Sequence, residues 1–297
     1  MSKYTKIIPS DIQAALGWML DYIEPNKNLL DVGCSSGYFG SYLKKIKGLK
    51  VDGIEISEDR HDAKKVLDTV YSFDLESTWP NSIQKNRYDY ILLGDILEHL
   101  VHPELVLQKL KTILKQDGLI FISIPNIAHI STRLELLEGN FTYEQTGLLD
   151  NTHLRFFTLD SIKRMTLEQG YTINKIDYSF NDFPEKIVNK ILSNLGLKPT
   201  TKFWKHASSI EARAFQYKLI LSRQRTKSRP IFTELPQKPE QLRDSFIADL
   251  QDQIKNIDKH AKDQAVIIEN LRKEVTELRK PHGWLKYQAR RLKKRLK

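Results

Sequence analysis

The stretch from Leu29 to Gly40 constrains the fold of this chain more than any other part of its sequence. Its pattern predicts a short apolar strand, a turn that contains Gly33 and Gly37, and the start of a helix. Glycine at these positions allows a tight turn and lets a ligand approach the backbone closely. A strand, turn and helix in this order are typical of the ligand crevice at the carboxyl end of an open α/β sheet.

Three interpretations of the turn compete. The first is a loop that binds a nucleotide-type cofactor, and the second is a tight turn without a ligand. The third is a nucleophile elbow, because the residues from Gly33 to Gly37 also match the pattern G-x-S-x-G. The elbow fold places several strands before its serine, whereas the short segment that precedes Ser35 has room for at most one helix. Position therefore disfavours the elbow.

Alternation of apolar runs with amphipathic segments predicts an α/β fold. The predicted strands cover residues 28–32, 50–56, 69–73, 88–93, 119–124, 171–178 and 212–222. Helices are predicted between most of them, and an entry helix at 10–24 precedes the first strand. Strands separated by helices imply βαβ units and a mostly parallel sheet, with the last two strands as a long hairpin-like pair.

Acidic residues follow three successive predicted strands. Glu55, Asp74 and Asp95 each stand at a carboxyl end, so their side chains are expected to face one crevice. Glu55 lies about 20 residues after the glycines, where an acid can accept both ribose hydroxyls of a nucleotide. A Rossmann dinucleotide loop would need G-x-G-x-x-G, and this turn has Ser35 where a further glycine would stand.

The turn with its preceding acid, Asp31, resembles motif I of the class I S-adenosylmethionine-dependent methyltransferases, with Ser35 at the usual middle glycine. The resemblance implies a Rossmann-like, doubly wound sheet of seven strands, the last antiparallel, within a domain at 1–222. It also implies S-adenosylmethionine as cofactor, with Glu55 on the ribose, Asp74 by the adenine amine, and Gly33 with Asp95 at the methionine part. The predicted cofactor-binding residues are Asp31, Gly33, Cys34, Gly37, Glu55, Asp74 and Asp95.

A closer resemblance rests on segments 90–100, 124–126 and 147–158, which are similar to methyltransferases of bacterial polysaccharide and glycan biosynthesis. It implies O-methylation of a sugar hydroxyl. One alternative is another small acceptor, such as a quinone or a lipid-linked phenol. Another is a non-catalytic scaffold that binds the cofactor and presents the C-terminal part of the chain.

Two histidines are the predicted catalytic residues. A hydroxyl acceptor benefits from a general base, and histidine is the side chain best poised near neutral pH. His99 follows Asp95 by about one helical turn, and His153 lies in a polar patch expected to cover the site. Asp95, Glu98, His99 and His102 would share one face of a helix, but Pro103 ends such a helix early. We therefore predict no metal.

The C-terminal quarter has a different character. Residues 223–246 form a polar, proline-containing linker, and residues 247–280 keep an apolar heptad pattern that predicts a coiled coil and a homodimer. The alternative is a long helix that packs against the first domain. Residues 281–297 form a basic amphipathic tail that suits a membrane interface.

The charge distribution and the single cysteine indicate which partners and which cellular compartment to expect. The net charge is +10, and residues 279–297 hold nine Lys or Arg residues and no acid, so the first domain shows no bias toward nucleic acid. RNA binding by the tail stays an alternative. The single cysteine, Cys34, excludes an intrachain disulfide and suits a reducing compartment. We expect a cytoplasmic protein, peripheral at the inner membrane surface.

Overall fold

The computed structural model describes residues 9–223 except residues 84 and 86. The predicted linker, coiled coil and basic tail lie outside the described residues, apart from Arg223, which ends the last strand. The homodimer and the membrane contact predicted from those segments stay predictions. Within the described part of the chain, no helix combines the length and apolar character that crossing a bilayer requires.

Seven strands form one mixed sheet in the order β3-β2-β1-β4-β5-β7-β6. Only β7 is antiparallel to its neighbours, β5 and β6. The predicted seven-stranded sheet with an antiparallel last strand is therefore confirmed. The strands are β1 (Asn28–Val32), β2 (Lys50–Ile54), β3 (Thr69–Tyr71), β4 (Tyr88–Gly94), β5 (Leu114–Pro125), β6 (Tyr171–Phe180) and β7 (Ala214–Arg223).

Helices connect the strands. A short 3₁₀ helix, Leu97–His99, follows β4. The α-helices are α1 (Pro9–Leu20), α2 (Tyr38–Lys47), α3 (Arg60–Val66), α4 (Pro103–Ile113), α5 (Ile130–Leu137), α6 (Leu159–Glu168), α7 (Glu185–Asn194), α8 (Thr201–Ala207) and α9 (Ile210–Arg213).

Side chains along the central strands point alternately to the two faces of the sheet, and helices cover both faces. In β1, Leu29 packs on the side of α1, α2 and α3, whereas Leu30 and Val32 pack on the side of α4 and α6. Successive side chains of a strand point to opposite faces, so near-continuous apolar strands need helices on both sides. This is the doubly wound arrangement that the sequence predicts.

Element boundaries differ from the predictions in several places. The predicted entry helix ends at Leu20 rather than at residue 24, and β5 begins at Leu114, directly after α4. The last strand begins at Ala214 because Ser209, whose hydroxyl accepts a hydrogen bond from the Ala212 N–H, starts the short helix α9 first. Capping by a serine side chain is a local interaction that competes with strand formation.

Candidate functional site

A crevice of about 860 Å³ opens at the carboxyl ends of the parallel strands. The strand order reverses between β1 and β4, and an open α/β sheet binds its ligand at such a switch point. The crevice walls include Gly33, Glu55, Asp74, Asp95 and His99. Five of the residues singled out from the sequence therefore meet at one site.

The turn after β1 bends through three left-handed residues. Gly33, Ser35 and Gly37 have φ values of +71°, +48° and +79°. The N–H groups of Gly33 and Cys34 donate to the Ile54 carbonyl, which ties the turn to the end of β2. Only glycine adopts such angles without steric cost, so Ser35 is held in an unfavourable conformation by its surroundings.

Two hydrogen bonds hold Ser35 in place. Its N–H donates to Glu55 Oε2 over 2.8 Å, and its hydroxyl donates to Asp59 Oδ2 over 2.9 Å. The serine at the usual glycine position thus keeps the required backbone shape and directs its hydroxyl to Asp59.

Glu55 organises the centre of the crevice. Its Oε1 accepts the Ser57 N–H over 2.7 Å, so backbone donors hold both carboxylate oxygens. Each oxygen has a second lone pair, which can accept a ligand hydroxyl. Asp74, on the same wall, is held at Oδ1 by the Glu76 N–H over 2.8 Å.

Three predicted cofactor residues stand behind the crevice wall rather than on it. Asp31 and Cys34 are 3% and 4% exposed. The Cys34 sulfur packs so closely under Gly53 that a Cβ on that glycine would lie 2.6 Å from it. A Cβ at Gly37 would come within 3.2 Å of the Ala63 backbone in α3. These three residues therefore pack against the protein interior and support the turn from behind the crevice wall.

Asp31 lies in an apolar setting that disfavours its charge. Burial raises the pKa of its carboxyl to about 7, the nearby Glu55 carboxylate adds to the shift, and the Gly40 N–H opposes it. Among the described residues, Oδ2 has no hydrogen-bond partner. In the ligand-free protein this buried carboxyl therefore costs stability once it ionises.

We expect Asp31→Asn to stabilise the ligand-free protein in a pH-dependent way. The folded pKa lies above the unfolded value of about 3.9, so the native state binds more protons and stability falls as pH rises from about 4 to about 7. The neutral amide removes this loss. The gain in unfolding free energy should be greater at pH 8 than at pH 5 by on the order of 2 kcal/mol.

Denaturant unfolding at pH 5, 6.5 and 8 measures this effect. Asp160→Asn is the matched control, because the Asp160 side chain is 83% exposed. An equal gain in unfolding free energy at all three pH values would contradict a raised pKa of the Asp31 carboxyl.

Asp95 lines the other end of the crevice. It has a φ of +53°, directly after β4. Its carboxylate accepts hydrogen bonds from Gln216 Nε2, at 2.7 and 3.0 Å, and from the Ser123 hydroxyl at 3.1 Å. Neither donor is among the site residues predicted from the sequence. Ser123 carried a signal, as a polar residue in an apolar strand, whereas Gln216 lies far away in the sequence.

His99 and His153 come together from distant parts of the chain. Their ring centres lie 4.9 Å apart. His99 Nδ1 is 3.1 Å from the Thr152 carbonyl oxygen, and His153 Nδ1 is 3.2 Å from the Leu148 carbonyl oxygen. Because a carbonyl only accepts, each Nδ1 carries a hydrogen, so in the neutral form of each ring the lone pair lies on Nε2. Burial lowers the pKa of His153, which favours this neutral form.

The four-residue helical face predicted around Asp95 does not form. The 3₁₀ helix ends at His99, and Leu100 has an extended backbone. His102 lies beyond this break, 3.4 Å from the Glu104 carboxylate, and so does not join His99 and Glu98. The guanidinium of Arg155 donates two hydrogen bonds to the Val101 carbonyl.

A family model described as a methyltransferase domain matches residues 4–176. The chain belongs to this family. A solved structure, that of a SAM-dependent methyltransferase from Archaeoglobus fulgidus, aligns with a TM-score of 0.51 at 20% identity. The alignment covers 71% of this chain and 93% of that one and shows a shared fold. The protein is thus a class I methyltransferase that depends on S-adenosylmethionine (SAM).

Two curated relatives share one name. The ubiquinone biosynthesis O-methyltransferase of Glaesserella parasuis is 23% identical over 178 residues, which cover 55% of this chain and 74% of the relative. The enzyme of that name from Actinobacillus pleuropneumoniae is 30% identical over 122 residues, 36% of this chain and 52% of the relative. The matched region thus spans about half to three quarters of these relatives.

The crevice fits SAM. Gly33 presents bare backbone on the wall, in a left-handed conformation that a side chain would strain. Glu55 and Asp74 offer acceptors for hydroxyl and amine groups, and Asp95 offers one for the ammonium group of the methionine part. These are the residues that could hold the cofactor, which supplies an electrophilic methyl group on its sulfonium sulfur.

Proposed function

We propose that this methyltransferase transfers the methyl group to a hydroxyl oxygen at the Asp95 end of the crevice. The observation that carries the proposal is the histidine pair. His99 lines the crevice and His153 packs against it, and because each Nδ1 donates to a carbonyl, Nε2 is the nitrogen of each ring that can accept a proton. An alcohol is a poor nucleophile until its proton is drawn away, and imidazoles provide this near neutral pH.

Most of the rate enhancement would come from positioning. Methyl transfer from a sulfonium is an in-line displacement, so the acceptor oxygen has to be held against the methyl group. Gln216 and Ser123 fix the Asp95 carboxylate, which in turn would hold the methionine part of SAM. The backbone N–H groups that clamp Glu55 would fix the ribose end. The residues thus hold the cofactor at both ends.

A polyhydroxylated acceptor, such as a sugar of a glycan, suits the polar side of the crevice. Ser123, Ser179, Gln216 and Lys218 line it from the neighbouring strands β5, β6 and β7. Hydroxyl, amide and amine groups can together donate to and accept from several acceptor hydroxyls. Burial lowers the pKa of Lys218, and the carboxylates of Asp177 and Asp95 oppose this shift.

The second candidate acceptor is a ring hydroxyl of a quinone precursor or a lipid-linked phenol. The name of the relatives, ubiquinone biosynthesis O-methyltransferase, favours it. Trp18, Tyr38 and Phe39 line another part of the crevice and could stack on such a ring.

Transfer of labelled methyl from SAM tests the proposal. The full chain is incubated with a cell-envelope glycan fraction, a quinone and phenol fraction, and an RNA fraction. We expect label in glycan, as an alkali-stable methyl ether. Label confined to the phenol fraction would support the second candidate. Label on nitrogen or carboxyl groups, including the base nitrogens of RNA, would overturn the proposal.

A further inference from the structure

Glu98, His99 and His153 form a cluster at the end of the crevice. Each of them offers a ligand atom, and these atoms all lie within 4.8 Å of one another. Glu98 and His99 come from the 3₁₀ helix, and His153 comes from the loop that precedes α6. The N–H groups of Leu154 and Arg155 donate to the Glu98 carbonyl at 2.8 and 2.9 Å and join the two segments.

Glu98 is the group that the methyl-transfer site leaves unexplained. It is 1% exposed, and among the described residues neither of its carboxyl oxygens has a hydrogen-bond partner. Burial raises the pKa of this carboxyl well above its ordinary value. Native proteins seldom leave a buried carboxyl without a partner, because removing it from water without a compensating hydrogen bond is unfavourable.

The histidines are oriented in the manner of metal ligands. Each donates its Nδ1 hydrogen to a backbone carbonyl, His99 to Thr152 and His153 to Leu148. Such an outer hydrogen bond is what ligating imidazoles normally make, because it fixes the ring and presents Nε2 to the ion. Because Nδ1 of each ring is engaged by a carbonyl, Nε2 is the nitrogen left to bind an ion.

We propose that Glu98, His99 and His153 bind a divalent transition-metal cation. Two imidazoles and one carboxylate suit zinc, manganese, cobalt or iron better than calcium or magnesium, which prefer oxygen ligands. Ligand atoms of a tetrahedral ion with bonds of about 2.1 Å lie roughly 3.4 Å apart, so atoms within 4.8 Å of one another need to approach by at most about 1.4 Å.

Three protein ligands leave coordination positions open, and His99 lines the crevice. If the proposed function holds, a cation there would polarise the acceptor hydroxyl and lower its pKa. The histidines would then assist proton loss as ligands rather than as free bases. This differs from the sequence-based expectation of no metal, and His153 takes the place that the sequence pattern gave to His102.

Titration of the full chain with metal alone tests the proposal. The protein is treated with EDTA, dialysed, and titrated with CoCl₂ or ZnCl₂ by calorimetry. We expect one equivalent to bind, and Glu98→Gln to weaken binding at least tenfold. His102→Ala is the control, since His102 is a nearby exposed histidine outside the cluster. The metal affinity of this variant should stay within about twofold of that of the parent protein.

The parent protein alone provides a second measurement if Glu98→Gln does not fold. Among the eight histidines of the chain, ZnCl₂ should shift the Nε2 resonances of His99 and His153 in long-range ¹⁵N spectra. No binding up to millimolar metal, equal binding by Glu98→Gln, or shifts at other histidines would overturn the proposal.

The metal site and the proposed function can fail separately. Metal binding is read without any acceptor, so it stands even if no hydroxyl is methylated. Conversely, labelled methyl transfer that continues unchanged in EDTA, without metal binding, would overturn the metal site and leave O-methylation in place.

Discussion

Replacing His99 by alanine is expected to lower kcat for methyl transfer by about 10²–10⁴-fold, the usual contribution of a group that assists proton transfer. The imidazole lines the crevice, and its Nδ1 is held by the Thr152 carbonyl, so Nε2 is the nitrogen that can accept a proton. Affinity for SAM should change by less than about threefold, because the loss falls on the reaction and not on the cofactor contacts. The single-turnover rate at saturating SAM measures the chemical step. The dependence of that rate on SAM concentration measures the affinity for SAM.

His102→Ala is the matched control for this prediction, since it removes a neighbouring imidazole that pairs with Glu104. Its kcat should stay within about twofold of the parent. His153→Ala should resemble His99→Ala, because the two rings pack together. If His99→Ala and His153→Ala both retained full activity, the histidine pair would have no part in the chemistry.

Glu55→Ala is expected to weaken SAM binding by about 10²–10³-fold. Hydrogen bonds to a charged group contribute about 1.5–3 kcal/mol each, and Glu55 would lose those to the ribose hydroxyls. It would also release the N–H groups of Ser35 and Ser57, so the left-handed turn after β1 would lose its clamp. Calorimetric titration of the purified variant with SAM measures the change.

The control variant is Glu58→Ala. Glu58 follows the same strand, but its side chain is 83% exposed and pairs with Arg60. SAM affinity of this variant should match the parent. Binding by Glu55→Ala within threefold of the parent would show that Glu55 acts on neither the cofactor nor the turn.

Much of the fold was predictable because it depends on local patterns. The apolar run of β1, the turn with Gly33 and Gly37, and the Pro103 start of α4 each follow from neighbouring residues. Boundaries were less predictable where a cap or a long-range pairing competes with a local preference. Strand β5 extends back to Leu114 because that residue pairs with Tyr88 of β4.

The site was predictable only in its outline. Acids after parallel strands meet at one edge of a sheet, and Glu55, Asp74 and Asp95 all line the crevice. The sequence pattern did not show that Cys34 packs in the core, nor that Gln216 holds Asp95. These contacts depend on how the turn bends and on which strand lies beside β5.

The sequence by itself determined the class of this protein, since hydrophobic periodicity, the glycine turn and the acids after the strands are short-range features. Only the tertiary structure decided the partners of His99. A continuous helix would have placed Asp95, Glu98, His99 and His102 on one face. Instead, the left-handed backbone at Asp95 and the break at Leu100 separate His102 and leave Glu98 beside His99. His153 then joins from more than 50 residues away, because backbone hydrogen bonds to Glu98 dock its loop there.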